Sequence, residues 1–275
     1  MKKILFALFL CLTSTAWADP IKVVVYWGWP NQQAQTPYYR TMFDQANADQ
    51  KKYEFVLEVR PGAGGGIAAK SATDDKDTTR RIVLLAHSNA FFVRPYLYPD
   101  VAGYTFDHWR PLLLQGYDNF GLVTRQRSMR QLFELAEIRI GTVGAGSYNH
   151  MLVEKMVRTV FSTKTVTIVH YTSHPDALTA VAGGHIDTVL AFRSNIAGND
   201  KFSMVAMMGR KAQPGAVLLS DYGVPAFADA SVNWFILAKR DLPDATFREI
   251  QAILLKAEQN PLTQQAYRFN LLSPL

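Results

Sequence analysis

Apolar residues follow two alternating rhythms along this chain. Short runs rich in β-branched and aromatic side chains read as strands: Ile21 to Trp27, Tyr53 to Val59, Arg81 to Ala86, Leu112 to Leu114, Phe120 to Thr124, Ile138 to Val143, Val166 to Tyr171, Asp187 to Phe192, Phe202 to Met208 and Val232 to Ala238. Between them apolar positions return at helical spacing. Pro37 suits a first helical turn, and Tyr38, Met42, Phe43 and Ala46 then share one face. Further helices are predicted over Gly66 to Thr73, Ser128 to Ala136, Tyr148 to Phe161, Pro175 to Val181, Pro243 to Gln259 and Leu262 to Asn270. Strand alternating with helix predicts an α/β architecture with mostly parallel sheets. Phe91 to Arg110, rich in aromatics, prolines and turn residues, reads as an irregular connection over the surface.

Two strand-to-helix joints are built from glycine. The first is Arg60-Pro61-Gly62-Ala63-Gly64-Gly65-Gly66-Ile67-Ala68-Ala69, and the second is Gly144-Ala145-Gly146-Ser147. Glycine permits positive φ, so the backbone can turn sharply and present N–H groups beside a helix N-terminus, which makes an anion cradle. A tight turn without a ligand is the plainer reading of either joint alone, and the repetition favours the cradle. Ser147 can serve as an N-cap or as a hydroxyl donor to a bound anion. In open α/β sheets ligands lie beyond the carboxyl ends of strands. There Tyr26 to Asn31, Gly62 to Gly66 and His87 to Asn89 converge. Two α/β units, each with its own glycine joint, predict two lobes with a solute held between opposed helix N-termini, and Val232 to Ala238 returns the chain to the first lobe.

Composition narrows the setting. Met1-Lys2-Lys3, the apolar run Ile4 to Leu12 and Ala16-Trp17-Ala18 form the pattern of an export signal over residues 1–18. That run is too short to span a bilayer. Cys11 is the only cysteine, and the non-small Leu10 before it argues against lipid attachment, so no disulfide supports the mature fold. Without the signal the net charge is about +4, with basic residues scattered, which excludes a nucleic-acid footprint and suits a cleft for an acidic solute. Gly64-x-Gly66-x-x-Ala69 loosely matches a dinucleotide-binding pattern, but the next strand ends at Ala86-His87 where an acidic ribose partner is needed. No Gly-x-Ser-x-Gly elbow is present, and Ser147 and His150 lack an obvious orienting acid, which speaks against a secreted hydrolase. His170 and His174 have no helical face to make a metal site of them. Neither a cofactor nor a metal is expected.

The ordered set of the Arg60 to Ala69 stretch, Gly144-Ala145-Gly146-Ser147 with His150, Tyr171 with Pro175-Asp176-Ala177-Leu178, and Gly183-Gly184-His185-Ile186-Asp187 resembles the tripartite tricarboxylate transporter receptor family, the Bug or TctC-like solute-binding proteins. The resemblance covers most of the mature chain. It implies a periplasmic, monomeric, two-lobed Venus-flytrap protein of type II. Each lobe would be a mixed, mostly parallel sheet flanked by helices, closing on a small carboxylated solute for delivery to membrane permease subunits; a sensor that passes a signal to a membrane partner is the alternative. Lobe 1 would comprise residues 19–121 plus 232–275, and lobe 2 residues 122–231. The implied ligand contacts are Gly64, Gly65 and Gly66, the loop His87, Ser88 and Asn89, the second turn Gly144, Gly146 and Ser147, and the loop Tyr171, Thr172 and Ser173. After the first strand the family usually has a small, glycine-rich loop with an aspartate, whereas this chain has Trp27-Gly28-Trp29-Pro30-Asn31-Gln32-Gln33. Tyr26, Trp27, Gly28, Trp29 and Asn31 are therefore added as ligand contacts, the loop making the pocket either smaller or suited to an aromatic ring, with one of the two indoles open to a core role.

Overall fold

A computed structural model describes residues 19–32, 35–125 and 128–270, and of Asn89, Phe92 and residues 268–270 only the backbone; the expected export signal and Gln33 lie outside the described residues. The elements in order are β1 (Ile21–Trp27), α1 (Thr36–Asp49), β2 (Tyr53–Val59), α2 (Gly66–Asp74), β3 (Arg81–His87), α3 (Arg94–Leu97), α4 (Pro99–Ala102), β4 (Trp109–Thr124), α5 (Met129–Phe133), β5 (Glu137–Val143), α6 (Tyr148–Arg158), β6 (Thr165–Tyr171), α7 (His174–Ala182), β7 (Thr188–Phe192), β8 (Ser203–Met207), β9 (Val217–Leu218), β10 (Ser231–Lys239), α8 (Asp244–Gln259) and α9 (Pro261–Asn270).

The strands hydrogen-bond in the order β2-β1-β3-β10-β4-β7-β5-β6, with β8 on β4 and β9 on β8. β1 runs parallel to β2 and β3, and β5 parallel to β6 and β7, while β10 and β4 are antiparallel to their neighbours. Each half thus has a parallel wing, and the two wings meet through β10 and β4. Along β1, Val23, Val25 and Trp27 enter the main core, whereas Val24 and Tyr26 enter a second core on the opposite face. Alternate side chains of a strand point to opposite faces, so burial of both produces the unbroken apolar run seen in the sequence. A third core, with Ala177, Val181 and Val189, covers the corresponding outer face of the other half. The last two helices return to the first half, where the Tyr38 hydroxyl of α1 donates to Glu258 of α8 at 3.2 Å and its ring meets Tyr267 of α9.

Two expectations change. Leu112 to Leu114 and Phe120 to Thr124 are parts of the single strand β4. The polar residues between them hid this, because Gln115 and Asp118 are buried with distant partners: Gln115 donates through Nε2 to the Tyr38 hydroxyl while its Oε1 has no partner among the described residues, and Asp118 accepts from Ser194 and the Asn119 N–H. Phe91 to Arg110 is also more ordered than its composition suggests. A π-turn over Asn89–Val93 and the short helices α3 and α4 are pinned by Phe91 packing on Tyr104 and Trp109.

Candidate functional site

The two glycine joints face each other. A Cβ placed on Gly64 would lie 3.7 Å from the Ser147 Cβ, and one on Gly144 would lie 4.0 Å from the Gly64 nitrogen. Both joints use the left-handed backbone that glycine tolerates, with φ of 61° at Gly64, 91° at Gly65, 76° at Gly144 and 70° at Gly146. Gly28 is needed for a different reason: a Cβ there would come within 2.5 Å of the Gly65 Cα, so the loop after β1 presses directly on the first joint. The hydroxyl of Tyr98, from the other half, occupies the place that a Gly146 side chain would fill.

Between the joints lies an inner pocket whose walls include Trp29, His87, Arg94, Phe120, Ser147, His174 and Phe192. Space for water-sized spheres is about 30 Å³, room for one or two waters. Outside it a groove of about 800 Å³ is bordered by Trp29, Gln32, Gly64, Gly144, Tyr171 and Thr172. An aromatic chain joins the halves. Trp29 stacks on His87 with centroids 5.0 Å apart, His87 meets the edge of Trp234 at 5.2 Å, and Trp234 meets Phe192 at 6.1 Å. Phe192 in turn stacks on Phe120 at 4.4 Å and lies 5.3 Å from His174.

His87 and His174 are 5% and 3% exposed, and none of their four ring nitrogens has a hydrogen-bond partner of standard geometry. Burial pushes His87 down to about 3, with His174 nearby adding to the shift. Burial likewise pushes His174 down to about 4, opposed by the Leu190 carbonyl. Both are therefore neutral near pH 7. Arg94 lays its guanidinium against Gly66 at the start of α2 and over the Tyr98 ring, and has no carboxylate partner among the described residues.

The expected contacts divide accordingly. Trp29, Gly64, His87, Gly146 and Ser147 line the inner pocket, and Gly144, Tyr171, Thr172 and Ser173 border the outer groove. Gly28, Gly65 and Gly66 stand directly behind them. Trp27 does not reach the cleft, because β1 ends there with the indole wholly buried, donating to Thr36 and packed on Tyr39 and Trp234. Tyr26 points to the opposite face and donates to Asp75. Asn31 is exposed and accepts from Arg40, and Ser88 accepts the Asn233 N–H of β10. Only the backbone of Asn89 is described, in the π-turn.

Several groups expected to meet a ligand are engaged within the protein. Ser147 caps α6 by accepting the His150 N–H at 3.2 Å and donates its own hydrogen to the Val143 carbonyl at 2.6 Å. The Gly146 N–H goes to His150 Nδ1, that of Ser147 to the Gly144 carbonyl and that of Gly144 to the Tyr171 carbonyl. The hydroxyls of Thr172 and Ser173 both donate to Asp176, holding its carboxyl below the usual range. Arg94, Phe120 and Phe192 were absent from the expected site, and His174 entered only as a doubtful metal ligand. Arg94 sits in the stretch read as irregular, and nothing local marks the others as pocket residues. No group of residues suited to a metal ion occurs among the described residues, nor does a helix long and apolar enough to cross a membrane.

No family model matches the chain, and no curated protein matches it. Solved structures do. The periplasmic binding protein BugD is 17% identical with a TM-score of 0.76, over 94% of this chain and 88% of that one. MatC from Rhodopseudomonas palustris with bound malate is 16% identical with a TM-score of 0.75, over 93% and 90%. An R. palustris protein with adipate is 16% identical with a TM-score of 0.75, over 93% and 88%. The chain thus has the two-lobed α/β fold of the Bug- and TctC-type periplasmic binding proteins.

Proposed function

We propose that this chain is a solute-binding receptor of the tripartite tricarboxylate transporter family, which captures a small carboxylated solute between its lobes and hands it to the permease subunits of that transporter. The observation that carries this reading is the direct opposition of the two glycine joints across a cleft, each opening a helix. Helix N-termini on both sides favour a negative ligand. The malate and adipate bound by its structural neighbours belong to the same chemical class. A non-enzymatic, monomeric role in the periplasm, after removal of residues 1–18, goes with it.

The lobes are assigned as residues 19–121 plus 232–275, and 122–231. In support, β4 pairs with β10 from Trp109 to Asn119 and with β7 only from Phe120 onward. The hinge is then the β4 crossing and the return into β10, and ligand draws the lobes together. A thermal-shift panel of mono-, di- and tricarboxylates on the mature protein tests the reading. A true ligand at 100 times its Kd raises stability by roughly 2.7 kcal/mol. Unchanged melting with every acid defeats the proposal.

A further inference from the structure

We propose, resting on the carboxylate-binding reading above, that the solute is a ring-bearing monocarboxylate with a hydrogen-bonding group on its ring, its carboxylate held by Arg94 and its ring lodged among Trp29, Phe120 and Phe192 with the polar group meeting His87 and His174. Three independent features of the inner pocket point to this ligand.

The pocket combines one cation with several rings. Its wall includes the Arg94 guanidinium, against the first turn of α2 and without an acidic partner among the described residues. A planar guanidinium matches a carboxylate bidentately, and the helix N-terminus behind it adds to the same positive field. The rest of the pocket is ring-faced, with the stacked pair Trp29–His87 from the first lobe and the stacked pair Phe120–Phe192 spanning the two. Flat apolar faces of this kind complement an aromatic ring in offset or edge geometry.

Two nearly sealed imidazoles line the pocket, His87 with no hydrogen-bond partner among the described residues and His174 with only the Leu190 carbonyl near it, outside standard geometry. An unsatisfied buried polar group is costly, and a ligand hydroxyl or ring nitrogen placed there removes that cost. Because both rings are neutral near pH 7, they are hydrogen-bonding groups and not counter-ions. A second carboxylate would lack a cation of its own, since Arg94 is the one Lys or Arg among the described residues of the pocket wall, which disfavours aliphatic dicarboxylates. In this structure the pocket has room for only one or two waters, so the lobes open to admit the solute and close again on it, and a flat ring leaves the smallest gap between them.

Isothermal titration of the mature protein with 4-hydroxybenzoate, 3-hydroxybenzoate, benzoate, malate and adipate decides the matter. One of the hydroxybenzoates should bind at least roughly tenfold more tightly than benzoate and than either dicarboxylate, the yield of one satisfied buried hydrogen bond. R94Q should weaken every aromatic acid by at least roughly tenfold, as expected for a lost charge-assisted bond. H87F and H174F, each checked by its melting curve, should remove the advantage of hydroxybenzoate over benzoate. The ranking of acids by the unaltered protein needs no variant to fold. If a dicarboxylate binds most tightly, or R94Q leaves the aromatic acids unaffected, the inference is wrong and the carboxylate-receptor reading stands. If none of these acids, nor any other carboxylate, binds, both fall.

Discussion

The first glycine joint has positive φ at Gly62, Ala63, Gly64 and Gly65 in succession, and no side chain caps the helix it opens. In the second, only Gly144 and Gly146 are left-handed, and Ser147 caps α6 while three backbone N–H groups close on partners of the same lobe. Similar composition therefore yields two different devices. The second joint is a self-satisfied wall, stable without a ligand. The first carries unusual backbone geometry, including a non-glycine residue at φ 50°, and brings Arg94 and Gly28 to the same point. Unfavourable φ is tolerated where surroundings over-determine it, a pattern common at binding sites. On the reading proposed above, the first joint is therefore where the solute's charge is expected to weigh most.

The largest expected effect comes from acid, which acts on both sides of the cleft together. His87 and His174 have folded pKa values of about 3 and about 4 against an ordinary 6.5, so below pH 6.5 the unfolded chain binds more protons and stability falls with falling pH. Buried Asp118 runs oppositely. Its carboxyl is pushed up to about 7 by burial, so its contribution is full below the ordinary 3.8 and is lost as pH rises through 7. The half-buried Glu258, also raised, works with Asp118, and His170, lowered, works with the pair. Two histidines against one aspartate leave a net of about one proton, or about 3 kcal/mol lost between pH 6.5 and 4. Denaturant titrations across that range read the slope, and H87F should flatten it. A stability that climbs steadily on acidification would contradict the buried neutral pair.

Next in size, and aimed at the comparison itself, are Gly65→Val and Gly144→Val. Both put a β-branched residue at positive φ with a new Cβ 3.3 Å from a neighbour, Ala90 in one case and Ser147 in the other, so each should cost about 2 kcal/mol of stability. Their effects on binding should differ. The Gly65 side chain would also head toward His87 Nε2, 3.9 Å away, and should lower affinity for the best acid at least roughly tenfold, whereas Gly144→Val should stay within about threefold. Equal losses by calorimetry would mean that both joints hold the charge.

Ser147→Ala is the smallest and sharpest test. Its hydroxyl is already spent on the cap and on Val143, so the variant should lose about 1 kcal/mol of stability with affinity nearly unchanged. A drop in affinity that outweighs the drop in stability would show that the hydroxyl turns toward the ligand on binding.

The alternation of strand and helix, the two glycine joints and most element limits were legible in the chain because they rest on local causes: side-chain periodicity, turn chemistry and caps. Ser128 and Ser147 start α5 and α6 where a capping serine was expected. The same locality explains what was lost. Polar Gln115 and Asp118 split β4 into two apparent strands, because the side chains they bond to, Tyr38 and Ser194, lie 77 and 76 residues away.

By itself the sequence determined an α/β chain with two glycine-opened helices. Which residues face the cleft was decided only by tertiary packing. Trp27 and Trp29 are two positions apart, yet the end of β1 sends one into the core against Trp234 and leaves the other stacked on His87 in the pocket wall. His87 and His174 come together from opposite halves of the sheet, and Arg94 reaches the first joint from a turn with no recognisable pattern. Periodicity reports which face of an element is buried. It carries no information about which distant face meets it, and a cleft between two lobes consists entirely of such meetings.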